Sequence, residues 1–276
     1  MTRLLAAVLL GLLLFTRAAG TAAAAPESVT LGSVAMDIPV EMIKRMSALS
    51  NYLSLQTGLN VRFRPSPNLS SAVDDMGAGH TQIAYLTPVA YIEAHKKYGA
   101  VPLVAPTTRG KPHLSLVIVV KAGSGIDKPA QLKGKRFAFG DEKALLQKAA
   151  VASMGLTTGD FAEFAYLKHY DNIAKAVLAG DFDGGILKDS IAEEFRYKGL
   201  AVIGTTAPLP SYVFAVHPKL SAGTRKKLRA AFLALKKDGP DKTNVLEAFD
   251  ASYDGFVPIE DKDYDSVRKL IEPFQK

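Results

Sequence analysis

The chain has 276 residues, 48% of them hydrophobic and 22% charged, the make-up of a globular protein. Its formal charge of +7 would suit a nucleic-acid or membrane partner, but no stretch interleaves aromatic with basic residues as single-strand binders do. There is no cysteine, which excludes disulfides and the acylated cysteine of a lipoprotein.

The N-terminus reads as an export signal. Met1-Thr2-Arg3 supplies a positive end, residues 4–15 are apolar, and small residues lead to Ala23-Ala24-Ala25 before Pro26. The apolar run is shorter than the ~20 residues a membrane-spanning helix needs. Residues 1–25 are therefore expected to be cleaved, leaving a soluble periplasmic protein, and the charge falls to +5 as Arg3 and Arg17 leave. The rest suffices for one large domain or two modest ones.

Taken in order, residues 29–34 read as a strand, 40–55 as an amphipathic helix closed by Gly58, and 61–64 as a strand. Residues 71–76 form a short helix, 83–86 a strand and 90–97 a helix. Residues 114–120 are a continuous run rich in β-branched residues, as in a strand buried on both faces. Strands at 136–139, 164–167 and 185–187 then alternate with helices at 144–154, 173–179 and 190–197. Residues 212–216 are again strand-like and the remainder mainly helical. In that tail Leu228, Ala231, Phe232 and Leu235 share one face of a helix whose other face is basic. The alternation predicts an α/β fold with mostly parallel sheets.

An internal echo suggests two equivalent lobes. At an offset near one hundred residues, Asn68-Leu69-Ser70 aligns with His169-Tyr170-Asp171, and Ala78-Gly79 with Ala179-Gly180. Each half holds a strand, a polar turn, a helix capped by Ser70 or Asp171, a glycine stop and a second strand. Ligands of open α/β sheets sit beyond the carboxyl ends of the strands, so two facing lobes predict a cleft lined by loops near Met36, Asn68, Thr87, Asp141, His169 and Lys188.

Several stretches point to a family. They are Gln82-Ile83-Ala84-Tyr85-Leu86-Thr87-Pro88 with Tyr91, Gln131-Leu132-Lys133-Gly134-Lys135, Phe137-Ala138-Phe139-Gly140-Asp141, the His169 turn, and Asp254-Gly255-Phe256-Val257-Pro258. Together they make the chain resemble the periplasmic binding components of phosphate/phosphite/phosphonate-type ABC importers. That resemblance implies a type II periplasmic-binding fold, with residues 26–115 and 215–276 in lobe one and 116–214 in lobe two. It also implies crossings through 114–120 and 212–216, C-terminal helices returning to lobe one, a small-molecule ligand and inner-membrane transporter subunits as partners. A monomer is expected, with no nucleic-acid partner.

The chain departs from the family where relatives place a Ser/Thr-rich phosphate cradle. Here the run is Glu142-Lys143-Ala144-Leu145-Leu146-Gln147, with few hydroxyl donors and with acids at Asp141 and Glu142. Met36, Ala144, Leu145 and Leu187 would make the cleft apolar, so a ligand with an apolar body and one or two polar handles, lipid-like for example, is expected. The alternatives are a phosphonate- or phosphate-type oxyanion for an ABC importer, or service to a sensor. The candidate ligand contacts are Met36, Asn68, Thr87, Tyr91, Lys143, Ala144, Leu145, His169, Lys188 and Asp189. Leu145 or Leu146 is expected to face the core, and a core role for Tyr91 and a helix-capping role for Lys188 and Asp189 stay open. No nucleophile elbow, metal-binding His pair, phosphate loop or dinucleotide fingerprint occurs, so no catalytic residue, metal or cofactor is expected.

Overall fold

A computed structural model of the chain describes residues 26–34, 39–143, 145–239 and 244–275. The export signal read in residues 1–25 lies outside them. Lobe one opens with β1 (Ser28–Ser33), α1 (Pro39–Thr57), β2 (Asn60–Pro65), α2 (Leu69–Gly77), β3 (Ile83–Leu86), α3 (Pro88–Tyr98) and β4 (Val101–Thr107). The chain crosses through β5 (His113–Leu114) into β6 (Leu116–Lys121), then runs through β7 (Arg136–Phe139), α4 (Leu145–Ser153), β8 (Glu163–Tyr166), α5 (Tyr170–Ala179), β9 (Gly184–Lys188), α6 (Asp189–Arg196) and β10 (Leu200–Thr205). It returns through β11 (Leu209–Pro210) to β12 (Val213–Val216), α7 (Ala222–Ala234), α8 (Val245–Phe249), β13 (Gly255–Pro258) and α9 (Asp265–Ile271).

The strands form a six-stranded sheet, β13-β4-β12-β3-β1-β2, and a five-stranded sheet, β10-β6-β9-β7-β8. Between them the two crossings pair as a short antiparallel ribbon, Leu209 with Leu114 and Pro210 with His113. The expected strand 114–120 is thus split at Ser115 into a ribbon strand and a sheet strand. The sheets are mixed, where mostly parallel ones were expected. β1 pairs parallel with β2 and β3, and β7 with β8 and β9, but β6 and β12 run antiparallel to their neighbours. A strand entering from the opposite lobe has no helix to reverse it, so it meets the sheet from the other end.

Local chemistry explains most elements. Met42, Met46, Leu49 and Leu53 line one face of α1 and are buried. Leu116 to Val120 in β6 are all buried, as the apolar run predicted. Four strands were missed, among them the two-residue β11 of the ribbon. β4 carries Pro102 and Pro106, which argue against a strand, yet it lies between β12 and β13. β10 has an irregular register between Val202 and Gly204, and β13 was hidden in a tail expected to be mainly helical. Phe214 of β12 packs on Tyr85, Phe232, Phe249 and Phe256, so helices α7 and α8 are held to lobe one by aromatic contacts. The last helix differs, because α9 touches α3 of lobe one and α4 of lobe two.

Candidate functional site

The ends of both sheets meet at a cavity of about 80 Å³. Lobe one contributes Ser70 from α2 and Thr87, Pro88, Val89, Ala90 and Glu93 at the start of α3. The crossings supply Leu114, Leu116 and Tyr212, and lobe two supplies Lys143, Leu146, Gln147 and Tyr170.

The lobe-one wall is built by capped helices. The Asn68 side chain accepts from the Ser71 N–H at 2.9 Å, so the cap of α2 is Asn68, where Ser70 was expected. Thr87 caps α3 by accepting from the Ala90 N–H at 3.2 Å, with Pro88 in the first turn, where no N–H is needed. Freed from capping, the Ser70 hydroxyl accepts a hydrogen bond from Lys143 Nζ at 2.9 Å, across the cleft.

Lobe two is arranged differently. The Asp141 carboxylate accepts from the Lys143 N–H at 2.8 Å, so it turns onto its own loop while the Lys143 side chain enters the cavity. Gln147 is buried and accepts from the Gly140 N–H at 2.7 Å. A Cβ at Gly140 would lie 2.7 Å from the Gln147 amide nitrogen, so a side chain there would push the Gln147 amide out of this arrangement. His169 occupies the cap position of α5 but makes no side-chain cap bond, and its Nδ1 is buried with no hydrogen-bond partner among the described residues. The helix expected to be capped by Asp171 starts two residues earlier, at Tyr170, with Asp171 inside its first turn.

Behind Tyr212 lies a buried cluster. The Lys188 side chain, 9% exposed, ends 3.3 Å from the Tyr253 hydroxyl and 3.7 Å from the Asp250 carboxylate of lobe one. Its ammonium also lies 4.8 Å from the Tyr253 ring centre and 5.8 Å from that of Tyr212. Burial works against its charge, but Tyr253 and Asp250 outweigh burial and hold its pKa above the ordinary lysine value. Burial likewise raises the phenols of Tyr85, Tyr170, Tyr212 and Tyr253, so these stay neutral near pH 7.

Of the residues expected at the cleft, Thr87 and Lys143 line the cavity. Asn68 and His169 sit next to lining residues as helix starts. Leu145 packs against the core, and its neighbour Leu146 lines the cavity. Tyr91 is fully buried and donates to Asp261 at 2.6 Å, with Arg268 on the same carboxylate, so it fastens α3 to the C-terminal segment. Asp189 accepts from the Ser115 N–H at 3.1 Å and thereby ties α6 to the crossing. Met36 and Ala144 lie outside the described residues. Gln147, Tyr170 and Tyr212 were missed. Tyr170 directly follows the His169 turn and Tyr212 directly precedes a predicted crossing, and both positions are readable signals; Gln147 had none.

Residues 31–264 match the family of periplasmic substrate-binding proteins of phosphonate ABC transporters. The phosphate-import protein PhnD of Mycolicibacterium smegmatis is 24% identical over 280 residues, covering 91% of this chain and 87% of that protein. Among solved structures, PhnD1 of Prochlorococcus marinus in complex with methylphosphonate superposes with a TM-score of 0.80 at 19% identity, covering 91% of this chain and 99% of that one. A binding component of a Pseudomonas aeruginosa ABC phosphonate transporter gives 0.76 at 19%, covering 90% and 86%. These similarities establish the type II periplasmic-binding fold, and the homologues are binding components, not enzymes. The chain belongs to the phosphonate-type periplasmic substrate-binding proteins of ABC transporters.

Proposed function

We propose that the chain captures a small oxyanion of the phosphonate or phosphate class between its lobes and presents it to an ABC importer. The observation that carries this reading is Lys143: its ammonium lines the cavity and, among the described residues, has no carboxylate partner. An anion would supply the missing charge, and the Ser70 and Thr87 hydroxyls stand beside it. The donors absent from the start of α4 are thus offered by the facing lobe. An apolar, lipid-like ligand has less support. A cavity of about 80 Å³ holds roughly five to eight waters, since one needs ~10–15 Å³, which suits a compact ligand better than a long acyl chain. The leucine, proline and tyrosine walls instead favour a short alkyl substituent on the anion.

Isothermal titration with methylphosphonate and with inorganic phosphate tests this reading. Replacing Lys143 by alanine removes a charged hydrogen bond worth ~1.5–3 kcal/mol, so affinity should fall roughly ten- to hundredfold. Absence of binding by the unaltered protein, or no change in Lys143→Ala, overturns it. In this reading residues 26–115 with 215–276 and residues 116–214 move as two bodies about the ribbon, which ligand closes. Residues 1–25 act as a cleaved export signal, so the mature protein begins at Pro26, carries no lipid anchor and works as a monomer. Intact mass and light scattering of the periplasmic protein check both points.

A further inference from the structure

We propose that Lys188 decides which oxyanions the cleft accepts: its own ammonium fills the aromatic and carboxylate box beside the cavity, so the site takes an anion without a cation and refuses a zwitterionic aminoalkyl analogue. The inference rests on the oxyanion reading and deepens it. Ring faces together with a carboxylate are the groups that recognise a primary ammonium. Tyr253, Tyr212 and Asp250 make such a box, and Tyr212 is also a wall of the cavity, so box and cavity adjoin. An alkylammonium arm reaching past Tyr212 would meet the Lys188 ammonium already seated there.

The carboxylate that lines the cavity itself already has a cation beside it. Glu93 is paired with Lys97 at 2.6 Å, one helical turn further along α3. Lys143 adds a positive charge to the same cavity. A ligand ammonium would therefore lose water, meet two like charges and find both acidic groups engaged, which is selection by repulsion as much as by fit.

The test compares propylphosphonate with 2-aminoethylphosphonate, which differ by a terminal methyl against an ammonium. Titration of the unaltered protein should show propylphosphonate binding at least tenfold more tightly. In Lys188→Met, which keeps an unbranched apolar stem but removes the lysine charge from the box, the ratio should shrink at least tenfold as the Asp250 oxygen facing Lys188 loses its partner. Equal or tighter binding of the amino compound by the unaltered protein overturns the proposal while leaving the oxyanion reading standing. So does an unchanged ratio in Lys188→Met. If the unaltered protein binds neither compound nor inorganic phosphate, the oxyanion reading fails and the proposal with it. Should Lys188→Met not fold, the ratio in the unaltered protein decides alone.

Discussion

The two lobes meet the cleft with different chemistry. Lobe one ends its helices with its own side chains, Asn68 on α2 and Thr87 on α3, and presents acceptors: the Ser70 hydroxyl, the Tyr253 hydroxyl and the Asp250 carboxylate. Lobe two leaves the cap positions of α5 and α6, His169 and Lys188, without side-chain cap bonds. It sends cations across instead, Lys143 to Ser70 and Lys188 to Tyr253 and Asp250. A capped helix start needs only its own lobe, whereas a lysine reaching across the cleft needs both lobes in place. The difference separates stability within a lobe from stability of the contact between lobes.

The sharpest way to probe that separation is within lobe one. Phe214→Ala should cost about 3–5 kcal/mol by removing the ring that joins β12 to α7 and α8, read as a lower urea midpoint. Lys188→Ala should cost ~2 kcal/mol through a lost charged hydrogen bond, and its larger sign should be a more open scattering profile under saturating methylphosphonate. An unchanged profile would remove Lys188 from the closed form. Thr87→Ala and Asn68→Ala should each cost ~1 kcal/mol, while His169→Ala, with no cap bond to lose, should cost less than ~0.5 kcal/mol. Equal losses at all three would erase the contrast between the lobes.

The smallest effect concerns a charge that lobe two keeps to itself. Asp183 accepts from the Arg136 guanidinium at 3.2 and 3.1 Å, and this pairing, against a smaller opposing effect of burial, holds its pKa below the usual carboxylate range. A depressed folded pKa means that its contribution is complete above the unfolded value near ~3.9 and is lost as pH falls through the folded value. Asp183→Asn should therefore lower stability at pH 7 and flatten its decline below about pH 4, measured by urea unfolding across pH.

Much of this was legible in the chain. Periodicity located α1, β3, β6, β7 and α5, and the repeated Ala-Gly stops fell on Gly79 and Gly180, both with positive φ. Of the turn residues, Thr87 lines the cavity, and Asn68 and His169 precede helices whose first turns line it, because loops follow strand ends in any α/β order. Where reading failed, the cause was long-range. Pro102 and Pro106 argue against a central strand, yet β4 lies between β12 and β13, and its register with β12 shifts beside Pro102, an irregularity where proline is tolerated.

By itself, then, the sequence determined what depends on near neighbours: the order of most strands and helices, most of their turns, and the family. Side-chain roles were decided by tertiary structure. Ser70 became a cleft acceptor because Asn68 took the cap, Tyr91 went to Asp261, and Lys188 met Tyr253 and Asp250, some sixty residues later in the chain. No local pattern encodes such a meeting, since its partners are brought together only when distant segments pack, within lobe one for Tyr91 and Asp261 and between the lobes for Lys188.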